Sequence, residues 1–126
     1  MRVLVTGATG FIGGAVACRL ARDEHEVRAL ARPSADVARL VAAGIDVVPG
    51  DVRDPASLAV ALRGRSHVIH LAAAKSGAAL HDVNVRGTAN VLDARGWSSR
   101  ESPPSSGEVR ADGSRSRDTS PPAACA

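Results

Sequence analysis

The segment Thr6-Gly7-Ala8-Thr9-Gly10-Phe11-Ile12-Gly13 constrains this chain more than any other feature. Its glycines recur at every third position between the apolar run Val3-Leu4-Val5 and a stretch from Phe11 to about Arg22. In that stretch Ile12, Ala15, Val16 and Leu20 fall at helical spacing. A short apolar run that stops at a glycine-rich turn reads as a buried parallel strand, and the pattern after it as a helix. Each glycine has its own task in such a strand–turn–helix. Gly7 lets the chain turn sharply off the strand, Gly10 leaves the backbone bare for close approach of a phosphate, and Gly13 lets the helix press against the sheet. The unpaired N–H groups at the helix start then favour a negatively charged ligand.

The rest of the first 95 residues repeats this alternation. Glu26 to Ala31 reads as strand two. Ser34 is placed to cap a helix whose Val37, Leu40 and Val41 form one face and which Gly44 stops. Asp46 to Val48 is a short third strand. Asp54-Pro55 then gives an N-cap with proline at the first helical position, and Leu58, Ala61 and Leu62 supply the buried face. Val68 to Leu71 reads as strand four, and a helix is expected from about Leu80 to Ala94. Strands joined by helical crossovers imply an α/β domain, a partial Rossmann fold. It has a parallel sheet of about four strands in the order 3-2-1-4 and helices on both faces. In that setting the glycine loop points to the pyrophosphate of a dinucleotide.

Composition narrows the function. The chain has 126 residues, 16 basic and 13 acidic, a net charge of +3 spread along its length, which is no electrostatic footprint for nucleic acid. No apolar run approaches the roughly 18 residues of a membrane span, and the apolar start is broken by Gly7, Gly10, Gly13 and Gly14, so a cytoplasmic protein is expected. Cys18 and Cys125 match no zinc spacing. Beyond Arg95 the character changes. Residues 96–126 hold eight Ser, four Pro and three Gly, with Val109 their only aliphatic side chain larger than Ala, so they read as a disordered tail.

The glycine segment resembles the cofactor loop of the extended short-chain dehydrogenases/reductases, the NAD-dependent epimerase/dehydratase group. Three further stretches carry the resemblance: Gly50-Asp51-Val52-Arg53-Asp54, His70-Leu71-Ala72-Ala73, and Asn84-Val85-Arg86-Gly87-Thr88-Ala89-Asn90-Val91-Leu92. It covers residues 1 to about 95. It implies an NAD(P)-binding protein with a cofactor site made of Gly7, Thr9, Gly10, Phe11, Ile12 and Gly13 in the loop. Asp51 and Val52 would lie against the adenine, and Leu71, Ala72 and Ala73 along the cofactor. Asn84 corresponds to the helix asparagine of the family's active-site network.

Cofactor choice turns on the end of strand two. An acidic residue there binds the ribose 2′-hydroxyl of NAD, whereas a nearby Arg accommodates the 2′-phosphate of NADP. The chain reads Ala29-Leu30-Ala31-Arg32-Pro33-Ser34, with no acid and with Arg32 in reach, which favours NADP over NAD. The competing reading makes Arg32 a solvated loop charge.

The family's catalytic pair is Tyr-x-x-x-Lys on the helix after a fifth strand, the tyrosine moving the proton. This chain contains no tyrosine, and its single lysine, Lys75, follows strand four. Residues 1–95 therefore read as an incomplete NAD(P)-binding domain, truncated before the catalytic residues and inactive alone, and residues 96–126 as a frameshifted tail. A non-catalytic dinucleotide-binding sensor, or a subunit needing a partner, is the alternative. Strand four would then be an open edge through which copies associate.

Overall fold

The computed structural model describes residues 1–96. Residues 97–126 lie outside the described residues, and with them all but the first residue of the segment read as a disordered, frameshifted tail. The elements run β1 (Arg2–Thr6), α1 (Phe11–Arg22), β2 (Glu26–Ala31), α2 (Ala38–Ala42), β3 (Asp46–Pro49), α3 (Pro55–Leu62) and β4 (His67–His70). A continuous helical stretch follows: α4 (Ala79–His81), a π-helical segment (Asp82–Gly87) and α5 (Thr88–Ala94). The sheet is parallel in the order β3-β2-β1-β4, with Val3 opposite Val27 and His67, and Arg28 opposite Asp46.

β1 is flanked on both sides and covered on both faces, and for that reason its apolar residues are consecutive rather than alternating. Val3, Leu4 and Val5 are fully buried. Because successive side chains point to opposite faces, Val3 and Val5 join Ala17, Cys18, Val27, Ala29, Leu40 and Ile45 beneath α1 and α2. Leu4 joins Leu30, Val52, Leu58, Ala61 and Val91 beneath α3 and α5. Arg28 ties the second layer to the sheet. Its Nη1 donates to the carbonyls of Ala61 and Arg63 at the end of α3, both at 3.0 Å, while its Nε donates to Asp46 at 2.7 Å. A cation on the last carbonyls of a helix satisfies groups that have no partner within it.

Three local expectations change. Ser34 caps nothing: Asp36 Oδ1 accepts from Ala38 N–H at 3.0 Å, and this side-chain turn competes with helical pairing, so α2 begins only at Ala38. Val41 consequently faces solvent, and Leu40 alone of the expected face is fully inside. β4 begins and ends one residue earlier than the periodicity suggests. The helix expected over 80–94 widens into a π segment at Asp82–Gly87, where the Thr88 hydroxyl donates to the Asn84 carbonyl at 2.7 Å and so competes for that acceptor. In contrast, Asp54 accepts from Ala56 N–H with Pro55 at the first helical position, as the sequence predicts for α3.

Candidate functional site

A cleft of about 460 Å³ opens where all four strands end. It lies in the range of roughly 300–1,000 Å³ typical of ligand and cofactor sites, at the carboxyl edge of a parallel sheet where such sites form. Its walls come from Gly7, Thr9 and Gly10 after β1, Leu30, Ala31 and Arg32 at the end of β2, and Gly50, Asp51, Val52 and Arg53 after β3. Leu71 to Ala74 after β4, together with Ala79 and Val83, complete it. Segments from Gly7 to Val83 thus converge, and nine of the thirteen candidate residues line one cavity: Gly7, Thr9, Gly10, Arg32, Asp51, Val52, Leu71, Ala72 and Ala73.

Four candidates do not line it. Phe11 and Ile12, 91% and 66% exposed, are open to solvent at the start of α1. Gly13 serves the turn itself, because a Cβ there would lie on the backbone of Gly7. Asn84 holds the wall from behind: its side chain accepts from Ala74 N–H at 2.8 Å and donates to the Ala74 carbonyl at 2.9 Å.

The glycine turn is built for bare backbone. Gly7 adopts a φ of +74°, and a Cβ on it would stand 2.6 Å from the backbone of Leu71 and Ala72, so glycine alone lets β1 and β4 come together here. Gly10 differs. Its N–H bonds to the Gly7 carbonyl at 3.1 Å, and a Cβ would meet only that carbonyl, at 3.3 Å. The side of Gly10 that faces the cleft is open to a ligand.

At the adenine end expected from the sequence, Asp51 is strongly engaged. Arg53 donates to it from the backbone N–H (2.9 Å, Oδ1), from Nε (3.1 and 3.2 Å, Oδ1 and Oδ2) and from Nη2 (2.7 Å, Oδ2). This pairing holds the Asp51 carboxyl below its usual range, with the positive charge of Arg32 adding to the effect. Ser57 Oγ accepts from Asp51 N–H at 3.0 Å and fixes the loop on α3. Gly50 gives that loop room, since a Cβ would strike Leu30 and Ser57 at 2.6–2.8 Å.

Behind the cleft a polar thread links β1, β4 and the helix. Thr6 is fully buried, and its Oγ1 accepts from Leu71 and Ala72 N–H at 3.2 and 3.3 Å. With its lone pairs so occupied, Thr6 donates its hydroxyl proton to His70 Nδ1 at 2.6 Å. His70 Nε2–H then donates to Thr88 Oγ1 at 3.0 Å, and Thr88 to the Asn84 carbonyl. The neutral imidazole fits this chain of donors, and burial pushes the His70 pKa below its ordinary 6.5. A group whose folded pKa is depressed contributes stability that is complete above the unfolded value and is lost as pH falls through the folded one. The melting temperature should therefore fall between pH 7 and pH 5, and a His70→Asn chain should lose most of that dependence. An NMR titration placing the His70 pKa at or above 6.5 would contradict it.

Thr6, Arg53 and Thr88 stand within the stretches that carry the family resemblance, but residue type and spacing do not single them out as parts of the site. Thr6 and Thr88 meet His70 only through strand register and helix packing, whereas Arg53 meets Asp51 two positions away. Among the described residues no cluster of His, Cys, Asp or Glu could hold a metal ion, and no helix is long and apolar enough to cross a membrane.

Comparison with known proteins agrees with this geometry. Residues 3–117 match the model of the NAD dependent epimerase/dehydratase family. Sterol demethylase protein B of Methylococcus capsulatus is 44% identical over 93 residues, 70% of this chain and 28% of that protein. The 2-alkyl-3-oxoalkanoate reductase of Stenotrophomonas maltophilia is 36% identical, over 75% of this chain and 29% of its own length. The crystal structure of Thermus thermophilus UDP-glucose 4-epimerase in complex with NAD superposes with a TM-score of 0.65 at 33% identity, over 75% of this chain and 33% of that one. The chain spans about a third or less of these relatives. By motif, topology and family match together, it belongs to the NAD-dependent epimerase/dehydratase family.

Proposed function

We propose that this chain binds NADP(H) in the cleft and, as these 126 residues, carries out no turnover. The observation that carries the reading is the meeting of the glycine turn, Arg32, Asp51-Val52 and Leu71-Ala72-Ala73 around one cavity. The pyrophosphate lies against Gly7, Thr9 and Gly10 at the start of α1, where free N–H groups and the open face of Gly10 accept it. The Asp51 carboxylate accepts from the adenine amino group, with Val52 as the apolar wall. Small side chains at Ala72 and Ala73 leave room for the ribose and nicotinamide. When bound, the cofactor supplies hydride chemistry, but a proton donor of the family type is lacking, since the chain has no tyrosine.

NADP is favoured over NAD because the end of β2 carries Arg32 and no carboxylate. Relatives in solved structures hold NAD, so this preference is a property we infer for this chain from Arg32. Among the described residues β4 is an edge strand, which supports self-association, or docking of a partner that supplies the catalytic half; the latter reading makes the chain a subunit rather than a lone binder.

Calorimetric titration with NADPH and NADH tests the proposal. Saturable NADPH binding is expected. Gly10→Glu should weaken it by about a hundredfold or more, because a carboxylate would occupy the phosphate position, while leaving the melt within a few degrees. Arg32→Ala should weaken NADPH about tenfold and leave NADH unchanged. A wild-type chain that is folded and binds neither nucleotide overturns the reading.

A further inference from the structure

We propose that Arg53 is a specificity-determining residue of the cleft: it exchanges the Asp51 carboxylate for a ribose 2′-phosphate, and in doing so frees Asp51 for the adenine amino group. The inference rests on the NADP(H) reading above and adds to it a residue and a coupling that reading does not contain.

Three observations carry it. First, the Arg53 guanidinium occupies both Asp51 oxygens, through Nε at 3.1 and 3.2 Å and Nη2 at 2.7 Å. A carboxylate has about four acceptor positions, and these contacts with the Arg53 N–H leave none well placed for a nucleobase donor. Asp51 can take the adenine amino group only once the guanidinium moves. Second, Arg53 and Arg32 line the same cleft together with Asp51, whose carboxylate feels the positive charge of both. Ala31 pairs with Pro49 across β2 and β3, and Gly50 N–H donates to the Ala31 carbonyl at 2.9 Å, so the residues following the two strands share one wall of the cleft. A 2′-phosphate held by Arg32 is then on the wall that the Arg53 side chain shares, within the sweep of its long stem, and its charge of nearly −2 outweighs a single carboxylate as a partner for the guanidinium. Third, the loop does not depend on the guanidinium. The backbone N–H of Arg53 caps Asp51 Oδ1, and Ser57 takes Asp51 N–H, so the turn keeps its shape when the side chain swings. The Arg53 side chain is about half exposed and free to do so.

Selectivity follows from this exchange. NADPH brings the anion that draws Arg53 away from Asp51. NADH brings none, and must break the ion pair without replacement to seat its adenine. Arg53 thus opposes one cofactor and aids the other, whereas Arg32 only aids.

The test titrates the full chain, wild type, R32A and R53A, with NADPH and NADH. R53A is expected to weaken NADPH about tenfold or more while tightening NADH, a crossed response that charge removal at Arg32, which leaves NADH unchanged, does not give. In the wild-type chain the Arg53 Nε–H NMR resonance should shift with NADPH at saturation. If R53A changes both cofactors alike, changes neither, or the resonance stays in place under saturating NADPH, the exchange is overturned while the binding reading stands. If the wild type binds neither nucleotide, or R32A leaves NADPH affinity unaltered, the NADP(H) reading fails and the exchange falls with it.

Discussion

Replacing Gly13 by alanine is expected to destabilise the fold by about 3 kcal/mol or more, at or above the usual range for overpacking. The added Cβ would fall on the Gly7 carbonyl, with Gly7 C only 2.6 Å away and Ala8 N at 3.0 Å. These are backbone atoms of the turn itself, so no rotamer change relieves the contact. The turn has little freedom to move, because Gly7 is itself wedged against the Leu71–Ala72 backbone. Urea denaturation followed by circular dichroism measures the effect. Gly44→Ala is the matched control: it too loses a glycine, at a φ of +76°, but nothing lies within 4 Å of the new Cβ. It should cost only the left-handed backbone penalty, about 1–2 kcal/mol. A loss at Gly13 no greater than that at Gly44 would show that the turn yields to the added Cβ and that close approach does not govern it.

Leu58→Ala should have the second large effect, about 2–5 kcal/mol, the range for removing a fully buried leucine. Leu58 is wholly buried and sits at the centre of the cluster formed by Leu4, Leu30, Val52, Ala61 and Val91. It joins α3 to the sheet and to α5, and small domains carry only a few kcal/mol to lose. The change also reaches the cleft, because Val52 packs in this cluster while lining the cavity. A urea midpoint lowered with the m-value unchanged is the expected signature. A loss below about 1 kcal/mol would mean that this layer collapses to fill the space.

Much of the site was legible in the residues because its strongest signals are local. The three glycines of the turn, the apolar run before them and the helical spacing after them lie within adjacent residues, and they appear in the structure as β1, turn and α1. Phe11 and Ile12 belong to the same motif yet face solvent, since a motif conveys order along the chain and not which way a side chain points. Ser34 was the wrong cap for a related reason. Both Ser34 and Asp36 are capping types, and the competition between them was decided by a turn that Asp36 closes two residues ahead.

Periodicity and turn chemistry in the sequence determine the element order, the parallel sheet and the glycine loop, since each rests on interactions between residues a few positions apart. Tertiary structure alone decides who meets whom across the strands. Thr6 reaches His70 over 64 positions, Arg28 reaches the end of α3 over 33, and Asn84 reaches back to Ala74. It also decides that Arg32 shares a wall with Asp51 and Arg53, which themselves lie close in sequence. Register and packing set these neighbours. A hydrogen bond between distant residues leaves no period in the chain, and it exists only because burial of Val3, Leu4 and Val5 has already aligned the strands that bring its two ends together.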